Sequence, residues 1–139
     1  MYEILDHTAD IGLHIEAGSL NELFAEAGRA LMAVLVANPE AIEARQTEQV
    51  DVTAETLDYL LVDWLSLLLR RFELEGKLYQ HFDVQVDTAS THLSATLQGE
   101  QLDLQRHRVE QEVKAVTYHN LTVQTGPDGR WTAEVILDV

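Results

Sequence analysis

The sequence predicts an α+β fold, in which two α-helices pack on a mostly antiparallel or mixed β-sheet. Three features predict it: two apolar stretches with helical spacing, several short segments in which apolar and polar residues alternate, and a Gly-Pro-Asp-Gly turn before the final segment. At 139 residues, the chain is expected to fold as one domain over residues 1–139. Its hydrophobic fraction of 46% is typical of a packed globular protein.

The first third of the chain predicts two strands and a helix. Residues 2–6 have an extended pattern, and residues 11–17 alternate apolar and polar side chains as a half-buried strand does. Ser19 and Glu22 form a capping-box pattern, which marks the start of a helix. Apolar residues at helical spacing follow, and the helix is expected to end near Pro39.

The middle of the chain predicts a strand over residues 49–53 and a second helix over residues 55–73, with Gly76 as its C-cap. The apolar stripe of this helix is wide, which predicts a central helix that is covered on more than one side. The stripe consists of Leu57, Leu60, Leu61, Trp64, Leu65 and Leu68.

The last part of the chain predicts strands only. Alternation over residues 82–86 and 93–97 indicates two strands, the second ending in a turn at Gly99. Residues 113–124 and 131–139 predict two more strands, joined by a turn at residues 126–129. This turn is a hairpin signal because proline presets one backbone angle and glycine supplies a positive φ.

The charge and composition exclude several classes of protein. Nine Lys and Arg residues against 24 Asp and Glu residues give a net charge of −15. Direct nucleic-acid binding is therefore not expected. A strongly acidic protein can still dock on a basic partner protein. The chain has no cysteine for a disulfide or a thiolate metal site. It shows no secretion signal and no apolar stretch of bilayer length, which predicts a cytoplasmic protein with no membrane partner.

The first candidate site lies near the amino terminus. Asp6, His7 and Asp10 place two carboxylates and an imidazole within five residues, and such a set could bind a metal or transfer protons. The alternative is a turn whose Asp and Thr side chains bond their own backbone.

The second candidate site is the carboxyl terminus, where the Asp138 side chain adjoins the terminal carboxylate of Val139. Divalent cations such as Ca²⁺ and Mg²⁺ favour clusters of oxygen ligands of this kind. The alternative is a frayed chain end with a solvated aspartate.

The third candidate segment runs from Val113 to Asn120 and contains Lys114 and His119. Strand alternation predicts that Lys114 shares a side with Tyr118. The lysine could be held by nearby carboxylates or reach a phosphate on a partner, and the alternative is an ordinary solvated lysine. His119 could be a base, a ligand or a histidine at a strand end. The residues alone therefore predict an acidic α+β domain that could bind a metal.

Taken in order, the segments of this chain resemble the archease family over essentially its whole length. No single segment is specific, but the ordered set is. The segments are Asp6-His7-Thr8-Ala9-Asp10-Ile11-Gly12, Leu61-Val62-Asp63-Trp64-Leu65, Gly99-Glu100 with Leu102-Asp103, Arg106-His107, Lys114-Ala115-Val116-Thr117-Tyr118-His119 and Leu137-Asp138-Val139.

The resemblance implies a mixed sheet with two helices and a non-catalytic function. Archeases are accessory proteins of the GTP-dependent tRNA-splicing RNA ligase and promote its guanylylation and repeated turnover. An older view makes them chaperone-like modulators of a tRNA cytosine-5 methyltransferase, which would then be a second partner. A third alternative, a metal-dependent hydrolase that uses the Asp6, His7 and Asp10 segment, has no established hydrolase motif to support it.

The resemblance also implies the site residues. A divalent cation, calcium first with magnesium or manganese as alternatives, would be bound by Asp10, Asp138 and Val139. Lys114 would be important for activation of the ligase. The partner-binding candidates in the same motifs are Asp6, His7 and His119.

Overall fold

The computed structural model describes residues 1–6 and 9–139, with Asp6 described at its backbone only. Its helices are α1 (Leu20–Leu35) and α2 (Leu57–Glu75), and a short 3₁₀ turn follows α1 at Pro39–Ala41. Its strands are β1 (Tyr2–Asp6), β2 (Asp10–Ala17), β3 (Gln46–Thr53), β4 (Lys77–Asp87), β5 (His92–Gln101), β6 (Ala115–Val116), β7 (Thr122–Thr125) and β8 (Trp131–Asp138).

The strands form two antiparallel sheets. The five-stranded sheet has the order β1-β2-β8, with β6 and β7 both paired to the far edge of β8. The three-stranded sheet has β5 between β3 and β4. All the described strand pairs are antiparallel, and the predicted α+β fold with two helices is confirmed.

Helix α2 is covered on several sides, as its wide apolar stripe predicted. It contacts α1, strands β3, β4 and β5 of one sheet, and strands β6 and β7 of the other. Trp64 is fully buried, and its indole N–H donates a hydrogen bond of 2.9 Å to the carbonyl of Phe24 in α1. Of the predicted stripe, only Leu57 is half-buried rather than buried. Neither α1 nor α2, within the described part of the chain, is long and apolar enough to cross a membrane.

The helix ends follow local sequence signals with small differences. The Ser19 hydroxyl accepts a hydrogen bond of 3.2 Å from the backbone of Glu22, which is one half of the predicted capping box. The other half does not form, because the Glu22 carboxylate pairs with Arg29 at 2.7 Å. Helix α2 ends at Gly76, whose φ of +65° is the left-handed conformation expected of a glycine C-cap.

The prediction of a turn at Gly99 is wrong, because this residue lies inside β5, opposite Tyr79 of β4. A Cβ atom at position 99 would overlap the carbonyl oxygen of Leu78 and stand 2.7 Å from the Cα atom of Tyr79. The register of β4 shifts between Tyr79 and His81, directly beside this contact. The glycine therefore permits close approach of a neighbouring strand rather than a change of chain direction.

The predicted strand over residues 113–124 forms as two short strands, β6 and β7. Asn120 lies between them with a φ of +51°, a left-handed conformation that asparagine tolerates better than most residues. The chain therefore turns at Asn120 and pairs twice with β8, whereas one continuous strand would pair once.

The basic cluster at residues 106–108 contains a buried histidine. His107 is 1% exposed, and its Nε2 atom lies 3.0 Å from a carboxylate oxygen of Glu100 while its Nδ1 atom accepts from the Asp103 backbone. Burial alone would raise the pKa of Glu100, but hydrogen bonds from the Glu43 backbone, Arg106 and His107 hold that pKa below its usual value. This network anchors the segment that leads from one sheet to the other.

Candidate metal and partner site

The pairing of β2 with β8 places Asp10 directly opposite Asp138. The next pair along these strands, Ile11 and Leu137, is buried in the core. Since side chains alternate along a strand, the two aspartates lie on the other face of the sheet, which we call the outer face. Directly opposed residues have Cβ atoms roughly 5 Å apart, so the backbone brings two carboxylates from opposite ends of the chain into one place.

Asp10 carries an unsatisfied oxygen. Its Oδ1 atom is buried and has no hydrogen-bond partner within residues 1–6 and 9–139. A buried polar atom without a partner is costly, and the cost is larger for a charged group. A cation bound at this position would supply the missing partner and offset the repulsion between the two carboxylates.

The end of the chain is held beside this pair. The Val139 backbone N–H donates to the carbonyl of Ala9 at 3.4 Å, and the Asp138 carbonyl accepts a hydrogen bond of 2.7 Å from the Lys114 backbone. The end of the chain is thus hydrogen-bonded to Ala9 on one side and to Lys114 on the other. The carboxylate at the end of this chain lies one residue beyond Asp138.

The chemistry of the donors fits a divalent cation that prefers oxygen. Asp10, Asp138 and Val139 would supply carboxylate oxygens only, as Ca²⁺, Mg²⁺ and Mn²⁺ prefer. In the part of the chain that the structure describes, no group of three His, Asp or Glu side chains could hold a metal. The described side chains therefore supply two carboxylates here, and the third donor that the resemblance implies is the Val139 carboxylate.

The structure places the other sequence-predicted residues at different distances from this pair. Lys114 is exposed and bonded through its backbone to Asp138, so it adjoins the pair. His119 is exposed in the turn that follows β6. Asp6 ends β1 opposite Ile11, but its side chain, like all of His7, lies outside the described residues.

Sequence reasoning missed His14, which lies on the same outer face. Its Nδ1 atom is 3.2 Å from Glu134, directly opposite on β8, and its Nε2 atom is 3.2 Å from Glu16. The hydrogen bond to Glu16 raises the pKa of His14 most, burial opposes it, and Glu134 raises it further. Strand alternation already placed His14 and Glu16 on one side, but nothing local identified Glu134 as the third member.

Comparison with known proteins agrees with this architecture. The model of the archease protein family (MTH1598/TM1083) matches residues 2–139. Protein archease from Pyrococcus abyssi is 36% identical over 99% of this chain and 98% of its own length, and that from Methanosarcina acetivorans is 34% identical over 99% and 95%.

Two solved structures share the fold. The solution structure of protein 1598 from Methanobacterium thermoautotrophicum has a TM-score of 0.85 at 35% identity, covering 99% of this chain and 98% of that one. The crystal structure of a Thermotoga maritima protein, described as an archease and possible chaperone, has a TM-score of 0.66 at 21% identity, covering 100% and 98%, which shows likeness of fold. The full-length family match and the identity to curated relatives establish that this chain belongs to the archease family.

Proposed function

We propose that this chain is a non-catalytic activator of the GTP-dependent tRNA-splicing RNA ligase, promoting its guanylylation and repeated turnover. We further propose that it acts with a divalent cation, calcium first, bound by Asp10, Asp138 and Val139. Family membership supports the partner. The observation that carries the site is the buried Oδ1 atom of Asp10, opposite Asp138, which has no hydrogen-bond partner among the described residues.

The cation would join the two ends of the chain. It would bind the carboxylates of β2 and β8 and remove the repulsion between them, so that the end of β8 keeps one position. The exposed Lys114 side chain, beside Asp138, would then reach a phosphate or a carboxylate of the ligase. Asp6, His7 and His119 remain proposed contacts of the partner.

The net charge of −15 supports docking on a basic surface of the ligase. Complementary charge speeds the encounter of two proteins and is screened by salt. The affinity for the ligase should therefore fall as the ionic strength rises.

The function is tested by joining of a cleaved tRNA by the cognate ligase with GTP and Mn²⁺, with this chain at sub-stoichiometric amounts. We expect more turnovers per ligase molecule, and no joining by this chain alone. An unchanged number of turnovers would contradict the proposal and favour the chaperone-like role on a tRNA cytosine-5 methyltransferase. That role would then be tested by measuring the aggregation of the methyltransferase with and without this chain.

Lys114→Ala separates activation from metal binding. Loss of a charge-assisted contact should reduce the stimulation roughly tenfold or more, while the Ca²⁺ affinity, measured by calorimetry, stays unchanged. Arg130→Ala is the matched control, since it removes an exposed cation near the other end of β8. Full stimulation by Lys114→Ala would remove this lysine from the activating site.

A further inference from the structure

The outer face of the five-stranded sheet carries an apolar row next to the aspartate pair. Leu5 of β1 is opposite Gly12 of β2, which is in turn opposite Ile136 of β8. These positions alternate with core positions, so polar side chains would be expected there. Instead Leu5 is 44% exposed, and Gly12 has no side chain to cover its neighbours.

A groove of about 170 Å³ opens over this row. Its remaining walls include His14, Glu134 and Asn120, the last from the turn between β6 and β7. Cavities of about 150 Å³ lined by aliphatic side chains accept a molecule the size of benzene. The groove can therefore accommodate one aliphatic side chain of a partner.

Acidic groups stand at both ends of the groove. Asp10 and Asp138 lie one row beyond Gly12 and Ile136, and Glu134 lies one row before them, opposite His14. Rows on one face of a strand are roughly 7 Å apart. An extended segment has the same spacing of side chains, so basic residues two positions before and after an aliphatic residue would meet the two acidic ends.

We infer that this groove docks an extended segment of the ligase with the pattern basic, any, aliphatic, any, basic. The inference rests on the proposed function. It adds to that function the surface that binds the ligase and the kind of segment that this surface binds. The aliphatic side chain enters between Leu5 and Ile136, and one basic side chain pairs with Glu134. The other approaches the carboxylates of Asp10, Asp138 and Val139, whose three negative charges a divalent cation neutralises only in part. Docking here brings the partner directly beside the proposed cation site on the same two strands.

Two substitutions in the groove test this with the intact chain and the cognate ligase. Ile136→Thr removes apolar surface while keeping a β-branched strand residue, and Glu134→Lys reverses the charge at one end. Each should weaken the affinity for the ligase by about tenfold. Calorimetry should show an unchanged Ca²⁺ affinity for Ile136→Thr, which leaves the charge near the cation site unaltered. Asp51→Lys is the matched control, because Asp51 is 68% exposed on the three-stranded sheet and bonded to His92 at 2.9 Å. The Asp51→Lys variant should bind the ligase with the affinity of the wild-type chain.

Undiminished affinity for the ligase in both groove variants would overturn the inference while leaving the metal proposal intact. Loss of Ca²⁺ affinity in Ile136→Thr would also overturn it, because the residue would then act through the cation site. A dimer of the wild-type chain in sedimentation that Ile136→Thr abolishes would show that a second copy, and not a ligase segment, occupies the groove.

A peptide probe decides the groove without the ligase. The amidated peptide Lys-Ser-Leu-Ser-Lys should shift the NMR amide signals of Gly12, Asn120 and Ile136, and Glu-Ser-Leu-Ser-Glu should not. Shifts confined to the three-stranded sheet, or no shifts, would overturn the inference. If wild-type chain neither binds nor stimulates the ligase, the proposed function fails, and a positive peptide result then retains the groove as a site for a basic–aliphatic segment of another partner.

Discussion

The outward faces of the two sheets carry different kinds of side chain. In the three-stranded sheet, the outward residues around its surface depression are polar: Gln49, Asp51, Asp83, Gln85, Ser94 and Thr96. In the five-stranded sheet, the outward face holds the opposed pair Asp10 and Asp138 and the apolar row of Leu5, Gly12 and Ile136. Neither feature is needed to bury a core, and a buried acidic oxygen that has no hydrogen-bond partner among the described residues opposes stability. The five-stranded sheet departs from the usual alternation of core and polar side chains, so the functional surface is expected on this sheet.

The largest effect should come from Asp138→Asn. Substitutions around metal ligands typically cost 10- to 100-fold in affinity, and loss of a ligand itself should cost on the order of 100-fold for Ca²⁺. Asp51→Asn, on the outward face of the other sheet, should leave that affinity unchanged. Calorimetric titration of Ca²⁺ into both variants checks the comparison, and equal affinities would remove Asp138 from the cation site.

The second effect contrasts a buried glycine in each sheet. Gly99→Ala should lower the free energy of unfolding by about 2 kcal/mol, because its Cβ atom would overlap the backbone of β4. Gly12→Ala places its Cβ atom at an ordinary 3.6 Å from Leu5 and should change that energy by less than about 1 kcal/mol. Urea unfolding of the two variants measures both values, and similar destabilisation would refute the difference in backbone approach.

A smaller effect concerns the metal-free protein. Asp10→Asn removes one of two like charges that face each other across β2 and β8, so it should stabilise the protein in chelator by about 0.5 kcal/mol. The same variant should lose the stabilisation that Ca²⁺ gives to wild type, because binding to the folded state alone raises stability. Thermal unfolding with and without Ca²⁺ tests both points, and a variant that is less stable in chelator would contradict the repulsion argument.

The smallest effect should be the pH dependence from His14. Its pKa is raised above 6.5, first by the hydrogen bond to Glu16 and then by Glu134, against the opposing effect of burial. Glu3 is opposite His14 on β1. The folded state thus favours the protonated ring, so the stabilisation is complete below pH 6.5 and is lost as the pH rises through the raised pKa. NMR titration of His14 in wild type and in the double variant Glu16→Gln, Glu134→Gln measures the shift, which should be smaller in the variant.

Local sequence patterns predicted most of the fold. The alternation of β2, β5 and β8 and the stripe of α2 follow from which side chains must leave water, and each is visible within a few consecutive residues. The predicted turn at residues 126–129 is confirmed by a hydrogen bond of 2.8 Å from Gly126 to Arg130 and by the φ of +80° at Gly129. Asp10 and Asp138 were assigned to a cation through resemblance, and that assignment stays a prediction.

Other features needed the tertiary structure because the residues concerned meet only when distant elements pack. The sequence around Gly99 is compatible both with a turn and with a close contact between strands, and only the position of β4 distinguishes the two. His107 stood in a basic cluster, yet it is buried against Glu100 because its segment crosses between the sheets.

The sequence by itself determined the α+β class, the two helices, the alternating strands and the strongly acidic charge, because each depends on composition or on neighbours along the chain. The tertiary structure decided that β8 pairs with β2, and with it the meeting of Asp10 with Asp138, of Gly12 with Ile136 and of His14 with Glu134. A register between strands at opposite ends of the chain depends on the packing of everything between them, and a shift of one residue would turn each of these side chains to the other face.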